Sequence, residues 1–228
     1  WHEAKKKSDF KNFLPFFETS LSNYGHYCFD YLNFHDRKLA YLFLDKVCKN
    51  DKNVLIANFK YEERRGEEDL YMNWFRENGY SVGRIPSEFK FEGRGDAFVY
   101  GDYLIGSYGI RSDKEALLFI AEEFQLEPII AELAQEKFYH LDTCFQQFPT
   151  GDAIFYPEAF KDQSLSAFES LFNLIPVSEH DANQLACNAV VINNTVIFPS
   201  EDIEAIKTVE ALGLNAEVAN VSEFLKSG

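Results

Sequence analysis

Ala97-Phe98-Val99-Tyr100-Gly101-Asp102-Tyr103-Leu104-Ile105-Gly106 reads as two short apolar strands joined by a two-residue turn. Such turns need positive φ values, which a Gly-Asp pair accepts at little cost. Working outward, Asp113–Phe124 has apolar residues at helical spacing, and a second extended run follows, Leu126-Glu127-Pro128-Ile129-Ile130. Hairpin, helix and strand together form the unit from which the fold is read.

The same order recurs along the chain. Residues 9–23 carry Phe10, Phe13, Leu14, Phe17 and Leu21 on one helical face, then Gly25 and an apolar run from Tyr27 to Leu32. A second helix at Glu67–Asn78, with Leu70, Trp74 and Phe75, is closed by Gly79 and followed by Tyr80-Ser81-Val82. Further copies are Asp162–Phe172 before Leu174-Ile175-Pro176-Val177, and Glu201–Leu212 before Gly213 and Ala216-Glu217-Val218. Another hairpin spans Cys187–Ile192, Asn193-Asn194 and Thr195–Phe198, while Val54–Phe59 and Ala153–Tyr156 read as single members of equivalent pairs. The helices end at Gly25, Gly79, Gln125, Asn173 and Gly213, so the period is about 40 to 54 residues. A strand-and-helix repeat of that period implies a toroidal or propeller-like α/β array of five units. A doubly wound sheet is the alternative, but no glycine-rich phosphate-binding motif follows any strand.

Composition narrows the function. The 228 residues carry a formal charge of −15 from 22 Lys and Arg against 37 Asp and Glu. That balance argues against nucleic acid or an anionic membrane as partner. No run approaches the roughly 20 apolar residues of a membrane span, and the N-terminal residues lack a signal-peptide core, so a cytoplasmic protein is expected. Cys28, Cys48, Cys144 and Cys187 lie far apart without CxxC spacing, which indicates neither a zinc site nor a disulfide framework. Trp1 opens a chain whose only methionine is Met72, which reads as a trimmed or partial sequence.

Chemistry concentrates in three segments. In Phe91-Glu92-Gly93-Arg94-Gly95-Asp96, two carboxylates flank two glycines before a strand. They either converge on a cation or form an Asx-type turn feeding that strand. In Tyr139-His140-Leu141-Asp142, extended alternation would put His140 and Asp142 on one face as a general acid/base beside a cation-binding carboxylate. The alternative is a surface or core histidine. Glu62-Glu63-Arg64-Arg65-Gly66-Glu67-Glu68 opens a helix; its acids suit the helix dipole, but Arg64 and Arg65 do not. Arg111 precedes a helix with Ser112 as the expected N-cap, where it is placed to grip a substrate carboxylate. Cys187 reads as packing rather than as a nucleophile.

Taken in order, Asn58–Glu68, Phe91–Asp96, Tyr108–Asp113, Tyr139–Phe145 and Ala186–Val191 resemble the dimethylarginine dimethylaminohydrolase branch of the amidinotransferase, or pentein, superfamily. The resemblance implies a single five-bladed α/β-propeller domain, with strand-strand-helix-strand repeats around a pseudo-five-fold axis. It implies a cytosolic hydrolase of small cationic guanidines that needs no metal or organic cofactor and forms a possible homodimer. In that chemistry a Cys thiolate attacks the guanidinium carbon, an amine leaves, and water cleaves the thiouronium, giving citrulline from arginine or dimethylarginine.

Carried over residue by residue, His140 and Glu92 would be catalytic. Asp142 and Asp96 would bind the guanidinium, and Arg111 with Arg64 or Arg65 would hold the carboxylate. The resemblance places the nucleophile on a final strand after Glu223–Gly228, so this chain is expected to lack it, together with an initial strand. Cys187 matches a different family cysteine. A family aspartate that grips the guanidinium aligns with Ala40, and a neighbouring asparagine aligns with Lys46. The alternatives are a non-catalytic pentein-fold binding protein, or a related deiminase, dihydrolase or amidinotransferase.

Overall fold

In the computed structural model, residues 41–44, 53–161 and 164–219 are described. The helix expected at residues 9–23, the Ala40 and Lys46 positions, Cys28 and Cys48 lie outside them. Four units follow one another, each a hairpin, a helix and a third strand. The first comprises β1 (Tyr41–Leu44), β2 (Asn53–Ile56), α1 (Glu62–Glu77) and β3 (Ser81–Arg84). The second comprises β4 (Ala97–Tyr100), β5 (Tyr103–Tyr108), α2 (Lys114–Glu123) and β6 (Glu127–Glu132). The third has β7 (Phe145–Gln147), β8 (Asp152–Phe155), the short α3 (Ser166–Glu169) and β9 (Asn173–Pro176). After α4 (Glu179–Asn183), the fourth has β10 (Val190–Ile192), β11 (Thr195–Phe198), α5 (Ala205–Ala211) and β12 (Asn215–Val218).

Each unit makes its own three-stranded sheet, with the hairpin pair antiparallel and the strand after the helix parallel to the middle strand. Val54–Phe59 and Ala153–Tyr156 thus overlap the middle strands of complete sheets. The last hairpin is shorter than expected. Ala186–Asn188 is a 3-10 turn, and pairing starts at Val190. The helix expected at Asp162–Phe172 is reduced to one turn, Ser166–Glu169.

Packing fixes each helix on its sheet. On α2, Ala116, Leu117, Ile120 and Ala121 are buried, the stripe that faces β5 and β6. Leu117 sits over Gly106, where an added Cβ would lie 3.1 Å from both Leu117 methyl carbons. The glycine is what lets the helix approach. The larger core is rich in phenylalanine: Phe145 meets Phe168 and Phe172 edge-on at 4.9 and 5.6 Å and stacks with Phe98 at 6.3 Å. These rings close the gap between the second and third units.

Three short 3-10 turns join the units at one end. Gly93–Gly95, Leu141–Thr143 and Ala186–Asn188 each precede the first strand of a unit, and each touches the next in series. The Asn188 amide donates to the Asp142 carbonyl at 2.9 Å. An isolated bridge, Asn58 with Phe91, ties the first unit to the second at the same end. This end carries Glu92, Asp96, Arg111, His140 and Asp142.

Candidate active site

The Leu141–Thr143 turn replaces the expected extended segment. His140 alone is extended, at φ −136 and ψ 156. Alternation along a strand therefore does not set the relation between His140 and Asp142; half-buried Asp142 lies within the turn itself. His140 is fully buried and sits between two carboxylates. Its Nδ1 lies 2.9 Å from Asp96 Oδ1, and its Nε2 lies 3.4 Å from Glu92 Oε2. Gly95 forms the floor beneath the ring: a Cβ there would come within 3.1 Å of the imidazole Cγ. A side chain at 95 would require the imidazole to give way by a few tenths of an ångström.

Both acids are buried, which is costly unless each oxygen is engaged. Glu92 Oε1 accepts the Lys60 backbone N–H at 3.2 Å, and Oε2 accepts from Arg111 Nη1 at 2.9 Å. Asp96 Oδ2 accepts the Ser112 hydroxyl at 2.6 Å, and Oδ1 accepts the Ser107 hydroxyl at 3.3 Å. Ser112 Oγ also accepts the Glu92 N–H at 3.0 Å, so one hydroxyl spans both acids' loop. This corrects the expected N-cap. Asp113 holds that position, and its carboxylate instead accepts the Lys90 N–H at 2.7 Å.

The arginines divide. The Arg111 guanidinium lies between the Tyr61 and Tyr139 rings, 4.7 and 4.6 Å from their centroids. A cation placed over aromatic rings in this way is held by their quadrupoles. Arg64 pairs with Glu67 at 2.9 Å and covers the Phe59 ring at 4.1 Å. Arg65 donates to the carbonyls of Phe59 at 3.2 Å and Lys60 at 3.3 Å. Glu68, on the same helix, accepts the Phe59 N–H at 3.0 Å. Together, Arg65 and Glu68 hold the strand end whose Lys60 amide reaches Glu92.

Five residues of this arrangement escaped the sequence reading as site components: Ser107, Ser112, Tyr61, Tyr139 and, through its backbone, Lys60. Ser107 sits at the end of the buried run of β5, where a small polar residue among apolar ones was the available signal. A backbone donor leaves no signal.

Cys144 and Cys187 are both buried. Burial, reinforced by Cys187, Asp142 and Asp96, pushes the Cys144 thiol well above its ordinary range. Burial followed by the Asp181 charge raises Cys187 likewise. Both thiols stay protonated at neutral pH, which removes their nucleophilic form. His180, 3.3 Å from Asp202, is on the exposed surface. Among the described residues no cluster of His, Cys, Asp and Glu is arranged to hold a metal ion, and no helix is long and apolar enough to cross a membrane.

Residues 44–221 match the family model of eukaryotic N,N-dimethylarginine dimethylhydrolase. The chain belongs to that family. The dimethylarginine dimethylhydrolase relationship extends to bacterial proteins. The chain is 36% identical over 182 residues to the bifunctional arginine dihydrolase/ornithine cyclodeaminase ArgZ of Synechocystis sp., covering 78% of this chain and 26% of that protein. It is 30% identical over 176 residues to the N(G),N(G)-dimethylarginine dimethylaminohydrolase of Mycobacterium tuberculosis, covering 77% of this chain and 58% of the relative. The chain thus spans about a quarter of the ArgZ protein, 26%. The substrate-bound crystal structure of the ArgZ N-terminal domain superposes with a TM-score of 0.76 at 34% identity, over 83% of this chain and 70% of that one. A dimethylarginine dimethylaminohydrolase adduct with S-methyl-L-thiocitrulline has a TM-score of 0.65 at 21% identity and shares the α/β fold.

Proposed function

We propose that this chain builds the guanidine-binding and proton-transfer part of a hydrolase acting on arginine or methylated arginine. One observation carries the reading. A fully buried carboxylate, Glu92, accepts a guanidinium at 2.9 Å on the oxygen that also faces the His140 imidazole at 3.4 Å. Cation, acid and proton carrier therefore meet at one point, which is what guanidine hydrolysis needs. The family and its arginine dihydrolase relatives support the substrate class.

In the proposed reaction a cysteine thiolate forms a bond to the guanidinium carbon, whose π electrons move onto nitrogen. The C–N bond to the leaving amine then breaks, and His140 supplies the amine's proton. His140 next takes a proton from water. The resulting hydroxide attacks the thiouronium carbon, and the C–S bond breaks to return the thiolate and give citrulline. Asp96 holds the proton on Nδ1 and so leaves Nε2 for transfer. Glu92 and Asp142 bind the guanidinium, and Arg111 with Arg64 or Arg65 takes the carboxylate. Asp96 then works through His140 rather than on substrate.

The protonated, buried state of Cys144 and Cys187 supports a nucleophile other than these two cysteines, on a further strand that also completes a closed five-bladed propeller. The test is labelling with 2-chloroacetamidine of a chain extended beyond Gly228, followed by peptide mapping. The label is expected on a cysteine other than Cys144 and Cys187, with citrulline formation lost in step. Labelling of Cys187, or turnover abolished by Cys187→Ser, overturns the assignment. A second reading, a guanidine-binding protein without turnover, is favoured by the same buried thiols. It predicts arginine binding with no citrulline even in the extended chain.

A further inference from the structure

Arg111 stands where the reading above puts the substrate. Its Nη1 engages Glu92 Oε2 at 2.9 Å, while the Lys60 amide already occupies Oε1 at 3.2 Å. The guanidinium carbon lies over the Tyr61 and Tyr139 rings, 4.7 and 4.6 Å from their centroids, a contact open to any guanidinium at this position. A second guanidinium brought to Oε2 would meet a like charge at close range in a site shielded from water. The backbone around Arg111 is fixed: Gly109 N–H donates to the Ser112 carbonyl at 3.0 Å and Asp113 N–H to the Lys90 carbonyl at 2.8 Å. The side chain is 22% exposed, so its guanidinium end reaches solvent while its loop is held by these backbone bonds.

We propose that Arg111 fills the guanidinium seat at Glu92 in the ligand-free protein and yields it only in exchange for a carboxylate. Arg111 thereby makes guanidine binding conditional on a ligand that carries both charges. The inference rests on the guanidino-hydrolase reading of this site. A ligand with both groups swaps partners without stranding a charge: its guanidinium takes Glu92 and its carboxylate takes Arg111. A guanidine without a carboxylate must break the same ion pair and offers Arg111 nothing in return. Rejection of such ligands therefore comes from an unpaired cation rather than from a clash.

The 228-residue chain is titrated calorimetrically with L-arginine and with agmatine, which has the same guanidinium and alkyl chain but no carboxylate. Wild type is expected to bind arginine about tenfold or more tightly than agmatine, since a lost charge-assisted pair is worth at least that factor. In R111A, and in R111Q, which retains bulk, the two ligands move in opposite directions. Agmatine is expected to gain about fivefold or more and arginine to lose about tenfold or more. R111K, which keeps a cation near Glu92, holds agmatine at the wild-type level. Agmatine binding unchanged or weakened in both neutral variants, with circular dichroism unaltered, overturns the proposal while leaving the guanidine site standing. Failure of wild type and variants alike to bind either ligand overturns both the proposal and the functional reading beneath it.

Discussion

A single hydroxyl, that of Ser112, couples the two acids of the site. It donates its proton to Asp96 Oδ2 at 2.6 Å and accepts the Glu92 backbone N–H at 3.0 Å, all within buried surroundings. Ser112→Ala therefore removes both bonds at once. Removing one partner of a buried hydrogen bond costs about 1–3 kcal/mol, so urea denaturation is expected to show a loss in that range. The effect on His140 is separate. With a donor gone from Asp96, the carboxylate that sits 2.9 Å from Nδ1 is held less firmly, and the imidazole Nδ1–H resonance is expected to shift or broaden. Ser112→Thr keeps the hydroxyl and is expected to restore the resonance. An Ala variant with an unchanged His140 signal would reduce Ser112 to a packing role.

At the scale of elements, the site depends on how α2 is seated on β5. Leu117 is fully buried and closes over Gly106, one residue before Ser107 and in the strand that leads to Arg111 and Ser112. Leu117→Ala is expected to cost about 2–5 kcal/mol, read from denaturant midpoints at constant m-value. The same elements show what was legible beforehand. The hairpin of β4 and β5 was readable because Gly101, at φ 61, and alternating apolar residues leave a local signature. Helix α2 was readable from its spacing. The Leu141–Thr143 turn was not, because a short run of mixed residues read equally well as extended; the turn closes when the Thr143 amide and hydroxyl bond back to the His140 carbonyl, and it packs against Gly93–Gly95 from another unit. Likewise Ser112 looked like an N-cap, yet a partner sixteen positions away in sequence claims its proton. Glu92 and His140 were singled out by residue type. Their meeting is a long-range fact that came only through resemblance to a known family.

For the whole molecule, the −15 charge and the cysteines point in different directions. Glu92, Asp96 and Asp142 account for few of the acids, and the rest serve no described ligand. The thiols, in contrast, give a global prediction with a definite sign. Burial raises both Cys144 and Cys187 above the ordinary thiol value of 9.0. In the unfolded chain those thiols ionise as pH passes about 9, whereas in the folded chain they keep their protons. The folded state then binds more protons, so stability is fully present below the unfolded pKa and is lost as pH rises toward the folded values. The slope is about 1.4 kcal/mol per pH unit for each thiol, which makes the protein roughly 2–3 kcal/mol less stable at pH 10 than at pH 8 from this source. Denaturation series across that range are expected to show the decline, and the C144A/C187A variant to flatten it by the same amount. Equal slopes in the two proteins would mean that burial holds neither thiol protonated, and would return Cys187 to consideration as the attacking group.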